Sequence, residues 1–406
     1  MIISSLKPHL TGIVMNKRLA LALFSMFVLA SFASTIHISA WWEEGHQLMT
    51  MEAVEVISQA LPEWSEFFHH YAYFLNDTAT WPDMVFKASD PKEEPRHYYD
   101  LEIPPEQRTY EDGALPYAIE NYTLLMAEAL KKGDWYEALV NAGRIAHYIE
   151  DAHQPYHCTV NYDPLGKHGI ADSLVEKHWN ELSIEVSPDL HVIENLTGYA
   201  MEIIIDSNSK VARLNATLIG DPADPNDDKE WSDDLRDLIS EQASRAIKAV
   251  AELWYTAIIT AGVDPPSLEG VNVIKVDVVA PKEATTRLAA DVVLEDGMGI
   301  PVDAKVTWTI GTDSGEASKR PYITGNYRIL ITGDVLSKYA GQEVTLSIKA
   351  ERPGYTTGEA STTVKIGGAP TPTPGPAAGI PWQLIIVLVV IVVVIVVLVL
   401  WLRKRG

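Results

Sequence analysis

Five of the chain's 12 histidines fall between His147 and His178. The densest run reads Ala146-His147-Tyr148-Ile149-Glu150-Asp151-Ala152-His153-Gln154-Pro155-Tyr156-His157. His147 and Asp151 stand four apart, which on a helix puts an imidazole and a carboxylate on one face. A neutral imidazole nitrogen and a carboxylate oxygen form half of a typical zinc shell. Pro155 disrupts the helix, so the chain turns there and His157 points elsewhere while staying near. His168 and Asp172 repeat the four-residue spacing at the start of the next helical segment, and His178 with Glu181 competes as the late pair. Two His/Asp pairs bridged by a further histidine point to a metal cluster, which can activate water for hydrolysis. The neighbours read differently. His153 faces away from Asp151, His69 and His70 read as helix surface, and His191 has no partner in the sequence. Cys158, the one cysteine, excludes an internal disulfide. It reads as a buried small residue or, beside His157, as a further ligand.

The elements that must hold these residues are helical. Apolar residues recur at helical spacing over 43–59, 115–132, 135–150, 170–186 and 231–259. Gly133-Asp134 reads as the end of one helix and the cap of the next. No strand alternation of any length interrupts 41–261, so an all-α bundle is expected. After Val263-Asp264-Pro265-Pro266 the texture changes. Runs of β-branched alternation occupy 273–278, 289–294, 304–310, 327–331, 344–350 and 361–366, with turn residues between them. That spacing predicts an antiparallel, immunoglobulin-like β-sandwich over 266–366. It serves as a spacer or as a binding module.

Both ends read as something other than fold. Asn16-Lys17-Arg18, an apolar run over 19–33 and small residues up to Ala40 spell a secretory signal over 1–40. Residues 367–380 form a Pro/Thr-rich stalk. Residues 381–402 contain an uninterrupted apolar stretch flanked by Trp382 and Trp401, long enough to span a bilayer. The basic tail, 403–406, places the chain's end in the cytoplasm and all that precedes the span outside the cell. A formal charge of -23 argues against sequence-independent binding of duplex DNA, which needs basic residues on the phosphates.

The histidine run resembles that of the zinc-dependent phospholipase C family and the related fungal single-strand-specific nucleases. Their hallmark is a histidine, an aspartate four later, then Gln-Pro-x-His. His147, Asp151, Gln154-Pro155 and His157 match it. A tryptophan at the mature N-terminus is a second hallmark. Cleavage after Ala40 would make Trp41 first, and Gly45-His46 follows at the spacing of the nucleases. Asp83 in Trp81-Pro82-Asp83, and His97 in Arg96-His97-Tyr98-Tyr99-Asp100, match a third. The likeness runs from residue 41 to about residue 183 and does not reach the β region.

The resemblance implies an all-α, trinuclear-zinc phosphodiesterase domain over 41–265. Asp83, His97, His147 and Asp151 would hold one zinc, and His157, His168 and Asp172 a second. Trp41, His46 and Asp151 would hold the third. Three divalent ions carry six positive charges against three from Asp83, Asp151 and Asp172, so an anionic phosphodiester is the implied substrate. Water activated there would attack phosphorus in line, with Asp83 orienting or deprotonating it. Where the nucleases carry an arginine three residues after the first aspartate, this chain has Phe86, with Lys87 next. Tyr98 and Asp100 fall where the nucleases bind a base. Glu44 falls where one phospholipase subgroup meets choline. Phospholipase C activity is the leading expectation, given the membrane tether. A nuclease or 3'-nucleotidase acting on short single-stranded nucleic acid is the alternative. A non-catalytic surface module stabilised by zinc is the third reading.

Overall fold

The computed structural model describes residues 43–219 and 231–368. The expected signal peptide, Trp41, most of the stalk, the apolar span and the basic tail lie outside the described residues. Among the described residues no helix is long and apolar enough to cross a membrane. The described residues divide into two compact units, with the boundary between Pro266 and Ser267.

The first unit is helical. Its helices are α1 (Glu43–Ala60), α2 (Ser65–Thr78), α3 (Leu115–Lys132), α4 (Trp135–Ala152), α5 (His168–His178), α6 (Leu196–Ser209), α7 (Val211–Thr217) and α8 (Asp233–Ala261). Gly133 closes α3 in the left-handed conformation at φ 68°, and the Asp134 side chain accepts from Glu137 N to open α4. The sequence predicts that junction. Helix α4 is the centre of the unit. Every residue from Ala138 to Ala152 except Arg144 is buried, as in a helix surrounded on all sides. Trp254 of α8 is fully buried, stacks on Phe68 of α2 and donates its indole N–H to Ala142 O of α4 at 2.9 Å. Burying such a side chain contributes roughly 1.5–3 kcal/mol.

One glycine sets a spacing. A Cβ on Gly143 would lie 2.2 Å from Thr78 Oγ1 and 2.7 Å from the Thr78 backbone carbon. Only a residue without a side chain lets α4 approach the end of α2 this closely.

The helix expected over 170–186 ends early. Helix α5 stops at His178, and one 3-10 turn follows at Trp179–Glu181. The chain then runs extended beside α8. Ser183 N, Glu185 N and Ile193 N donate to the hydroxyls of Ser240, Ser244 and Thr256. These side-chain acceptors replace the carbonyls a helix would supply.

The second unit is built of strands β1 (Lys275–Val279), β2 (Glu283–Ala284), β3 (Arg287–Glu295), β4 (Lys305–Ile310), β5 (Asp313–Glu316), β6 (Ser318–Lys319), β7 (Asn326–Thr332), β8 (Glu343–Glu351) and β9 (Gly358–Ile366). They form a four-stranded sheet ordered β1-β3-β7-β6 and a five-stranded sheet ordered β2-β9-β8-β4-β5. Each of the six expected runs falls on one of these strands. Pairing is antiparallel apart from the short β2, which lies parallel to β9. Alternate residues such as Leu288, Ala290, Val292 and Leu294 of β3 are buried. One covered face per sheet is the pattern of sheets packed face to face.

Candidate metal centre

The expected ligands arrive from six stretches of the helical unit. His46 sits in the first turn of α1 and Asp83 in a single π-helical turn at Pro82–Phe86. Single π-helical turns occur often at functional sites. His97 ends a 3-10 turn at Glu94–His97, while His147 and Asp151 lie on the last turns of α4. His157 belongs to the 3-10 turn Pro155–Cys158, and His168 and Asp172 open α5. The Gln-Pro pair has a mechanical role. Gln154 caps the 3-10 turn by accepting from Tyr156 N at 2.6 Å, and its amide N–H donates to Asp172 Oδ1. That single side chain ties the end of α4 to the start of α5.

Among the described residues three groups bring potential ligand atoms within 4.8 Å of one another: His46/Asp83/His147, His97/His147/Asp151 and His157/His168/Asp172. His97 Nδ1 is 3.0 Å from Asp151 Oδ2 and 3.6 Å from Asp83 Oδ1. His147 Nε2 is 3.5 Å from Asp151 Oδ2 and 3.7 Å from Asp83 Oδ2. His46 Nε2 is 3.4 Å from Asp151 Oδ1, so Asp151 faces both the His46 and the His97 sides. In the third group His157 Nε2 and His168 Nε2 are 2.9 Å apart, and His168 Nε2 is 3.3 Å from Asp172 Oδ2. All eight residues are buried.

The hydrogen bonds fix which ring nitrogens face inward. His147 Nδ1–H donates to Ala79 O at 2.7 Å and His157 Nδ1–H to His97 O at 2.6 Å. Each Nε2 therefore presents a lone pair to its cluster. Burial, the largest cause, holds His97, His147 and His157 far below the usual histidine range, and takes His168 down to about 3. These rings stay neutral, the form that binds metal. Burial and then the charge of Asp83 push Asp151 well up, and burial also raises Asp172. Asp151 Oδ1 and Asp172 Oδ2 are buried without a hydrogen bond. Converging lone pairs, crowded carboxylates and orphaned oxygens fit divalent cations of the zinc type.

Other candidates fall elsewhere. His178 and Glu181 pair at 2.9 Å, His178 stacks on Trp231, and neither joins a group. His153 donates to Ile149 O, and His69 pairs with Glu55 at the surface. Cys158 Sγ donates to Ala152 O at 3.3 Å, and burial pushes the thiol up, so it behaves as a small core residue. A cavity of about 290 Å³ opens beside the clusters, lined in part by Lys87, Tyr98, Asp100, His157 and His168. Tyr98 and Asp100, two of the expected substrate residues, are therefore in its wall. Glu44 does not line this cavity: it is exposed on α1 near Glu176, turned out because His46 on the same turn faces inward.

Two residues gain a place that sequence spacing did not reveal. The Lys87 side chain is buried, with Nζ 2.8 Å from Asp83 Oδ1 and 3.3 Å from Glu94 Oε2. Glu150 is fully buried, with Oε2 2.6 Å from His46 Nδ1.

Residues 41–176 match the model of the S1/P1 nuclease family. The matched span contains all nine candidate ligands, Trp41 included. It bears out the resemblance to the zinc phospholipase C and nuclease superfamily, and with it the reading of the chain as a zinc phosphodiesterase enzyme. No curated protein matches the chain. Among solved structures, alpha toxin from Clostridium absonum covers 79% of this chain and 98% of its own at 13% identity and TM-score 0.40. An endo-beta-1,4-mannanase from Thermotoga petrophila covers 31% of this chain and 24% of its own at 14% identity and TM-score 0.20.

Proposed function

We propose that the helical unit is a three-zinc phosphodiester hydrolase acting on short single-stranded nucleic acid. Its ligands are Trp41, His46, Asp83, His97, His147, Asp151, His157, His168 and Asp172. The observation that carries the reading is the buried convergence of His97, His147 and Asp151 beside His157, His168 and Asp172, opening on one cavity. Zinc held there supplies a Lewis acid and brings the pKa of bound water to about 7. Asp83 orients the attacking water and takes its proton. Lys87, ion-paired with Asp83, adds positive charge to the cavity wall and offsets the phosphate's charge. Tyr98 gives a base an aromatic face to stack on, and Asp100 an acceptor for its N–H groups.

The presence of Tyr98 and Asp100 in that wall, which Glu44 does not line, favours nucleic acid over phospholipid. A phospholipase C reading stays second, favoured by the apolar span at 384–402. We also propose export with cleavage after Ala40, a tether through 381–402, and an immunoglobulin-like sandwich as spacer, all on sequence grounds.

Zinc content of the full chain, followed by assays on a single-stranded DNA oligonucleotide and on phosphatidylcholine vesicles, tests the reading. Zinc with DNA cleavage is the expected result. Lipid cleavage alone favours the second reading. Zinc with neither activity leaves a structural module, and no zinc overturns the proposal.

A further inference from the structure

His46 is held by two successive residues of α4. Its Nδ1 lies 2.6 Å from Glu150 Oε2, and its Nε2 lies 3.4 Å from Asp151 Oδ1. Neighbouring side chains on a helix point about 100° apart, so they rarely meet one partner. Here they do because the ring lies across them and stacks on His147, with centroids 4.0 Å apart. Thr50, one turn further along α1, donates its hydroxyl to Glu150 Oε1 at 3.1 Å. Glu150 is fully buried in a helix whose other surroundings are largely apolar. A residue needed only to fill that space would be apolar, because burying a carboxylate costs several kcal/mol unless it is well partnered.

We propose that Glu150 is the positioning residue of the His46 site: it fixes the imidazole so that Nε2 faces Asp151. Carboxylates behind ligand histidines orient the ring and raise its basicity, and removing one typically weakens metal affinity about 10–100-fold. The inference rests on reading the clusters as metal sites. It gives the His46 position its own anchor, independent of Ala79 O and His97 O, which hold the rings of His147 and His157.

The test uses the full chain and zinc retained against a chelator titration, measured by elemental analysis. Glu150→Ala is expected to release one class of zinc at about 10–100-fold lower chelator concentration. Glu150→Gln, whose amide oxygen still accepts from Nδ1–H, should fall between it and wild type. In the His46→Ala background the same substitutions should add nothing, since Glu150 acts through that ring. Should Glu150→Ala fail to fold, the Gln variant and its pairing with His46→Ala carry the test. Wild-type zinc retention in Glu150→Ala, or an equal effect with and without His46, overturns the inference. A wild-type chain that retains no zinc overturns the metal reading itself.

Discussion

His157 is held by the backbone of His97: its Nδ1–H donates to His97 O at 2.6 Å, while Tyr99 N returns a bond to His157 O at 2.8 Å. The His97 ring serves one cluster and its carbonyl aims a ligand of the other. The clusters share a frame, and a disturbance at either is felt at both.

Asp83 is expected to carry the water's proton as well as bind metal. Asp83→Asn keeps the shape and removes the base. Loss of a general base costs about 10²–10⁴ in rate, so kcat should fall by at least the lower figure. Zinc content measured in parallel separates the two roles. Full activity in this variant would dismiss the assignment.

Lys87 places a buried ammonium between Asp83 and Glu94 on the cavity wall. Removing one preorganised charge of this kind costs about 10²–10³ in rate. Lys87→Met should lose kcat/KM on that scale, and Lys87→Arg should recover part of it. Equal losses in both would show that shape, not charge, matters at this position.

His153 gives an acid limb to stability. Burial, the largest cause, holds its ring down to about 4 against an ordinary 6.5. Above pH 6.5 both folded and unfolded forms are neutral. Between about 6.5 and about 4 the unfolded chain binds the proton that the folded chain refuses, so stability falls as pH drops. The loss reaches ~3 kcal/mol at the bottom of the window. Urea unfolding of metal-free wild type and His153→Gln at several pH values should show a shallower acid slope in the variant. Parallel slopes would refute this account.

Gly143→Ala weighs two effects. Alanine favours the helix by ~0.5–1 kcal/mol, but its methyl meets Thr78 at 2.2 Å. Overpacking typically costs ~1–3 kcal/mol, so net destabilisation is expected. Thermal unfolding should show a lowered midpoint. A raised midpoint would mean that α2 and α4 can separate at little cost.

Much of this could be read from local pattern. The ends of α3 and α4 were legible because Gly133 and Asp134 act on their own backbone. His147, Asp151, His168 and Asp172 were legible because helical spacing forces each pair onto one face. Long-range partners were not legible. Glu150 meets His46 across 104 residues, and nothing near it in sequence marks that contact. The early end of α5 depends on hydroxyls of α8 that no local rule could supply. The parallel β2 is too short to carry an alternation.

The closeness at Gly143 has a longer reach than its own packing. It lies one turn before His147, and Thr78, which it touches, directly precedes Ala79, whose carbonyl orients the His147 ring. The missing methyl is therefore a gauge for the hearth of the molecule. A lesion there would silence the chemistry from a distance, with every reacting group still in the sequence.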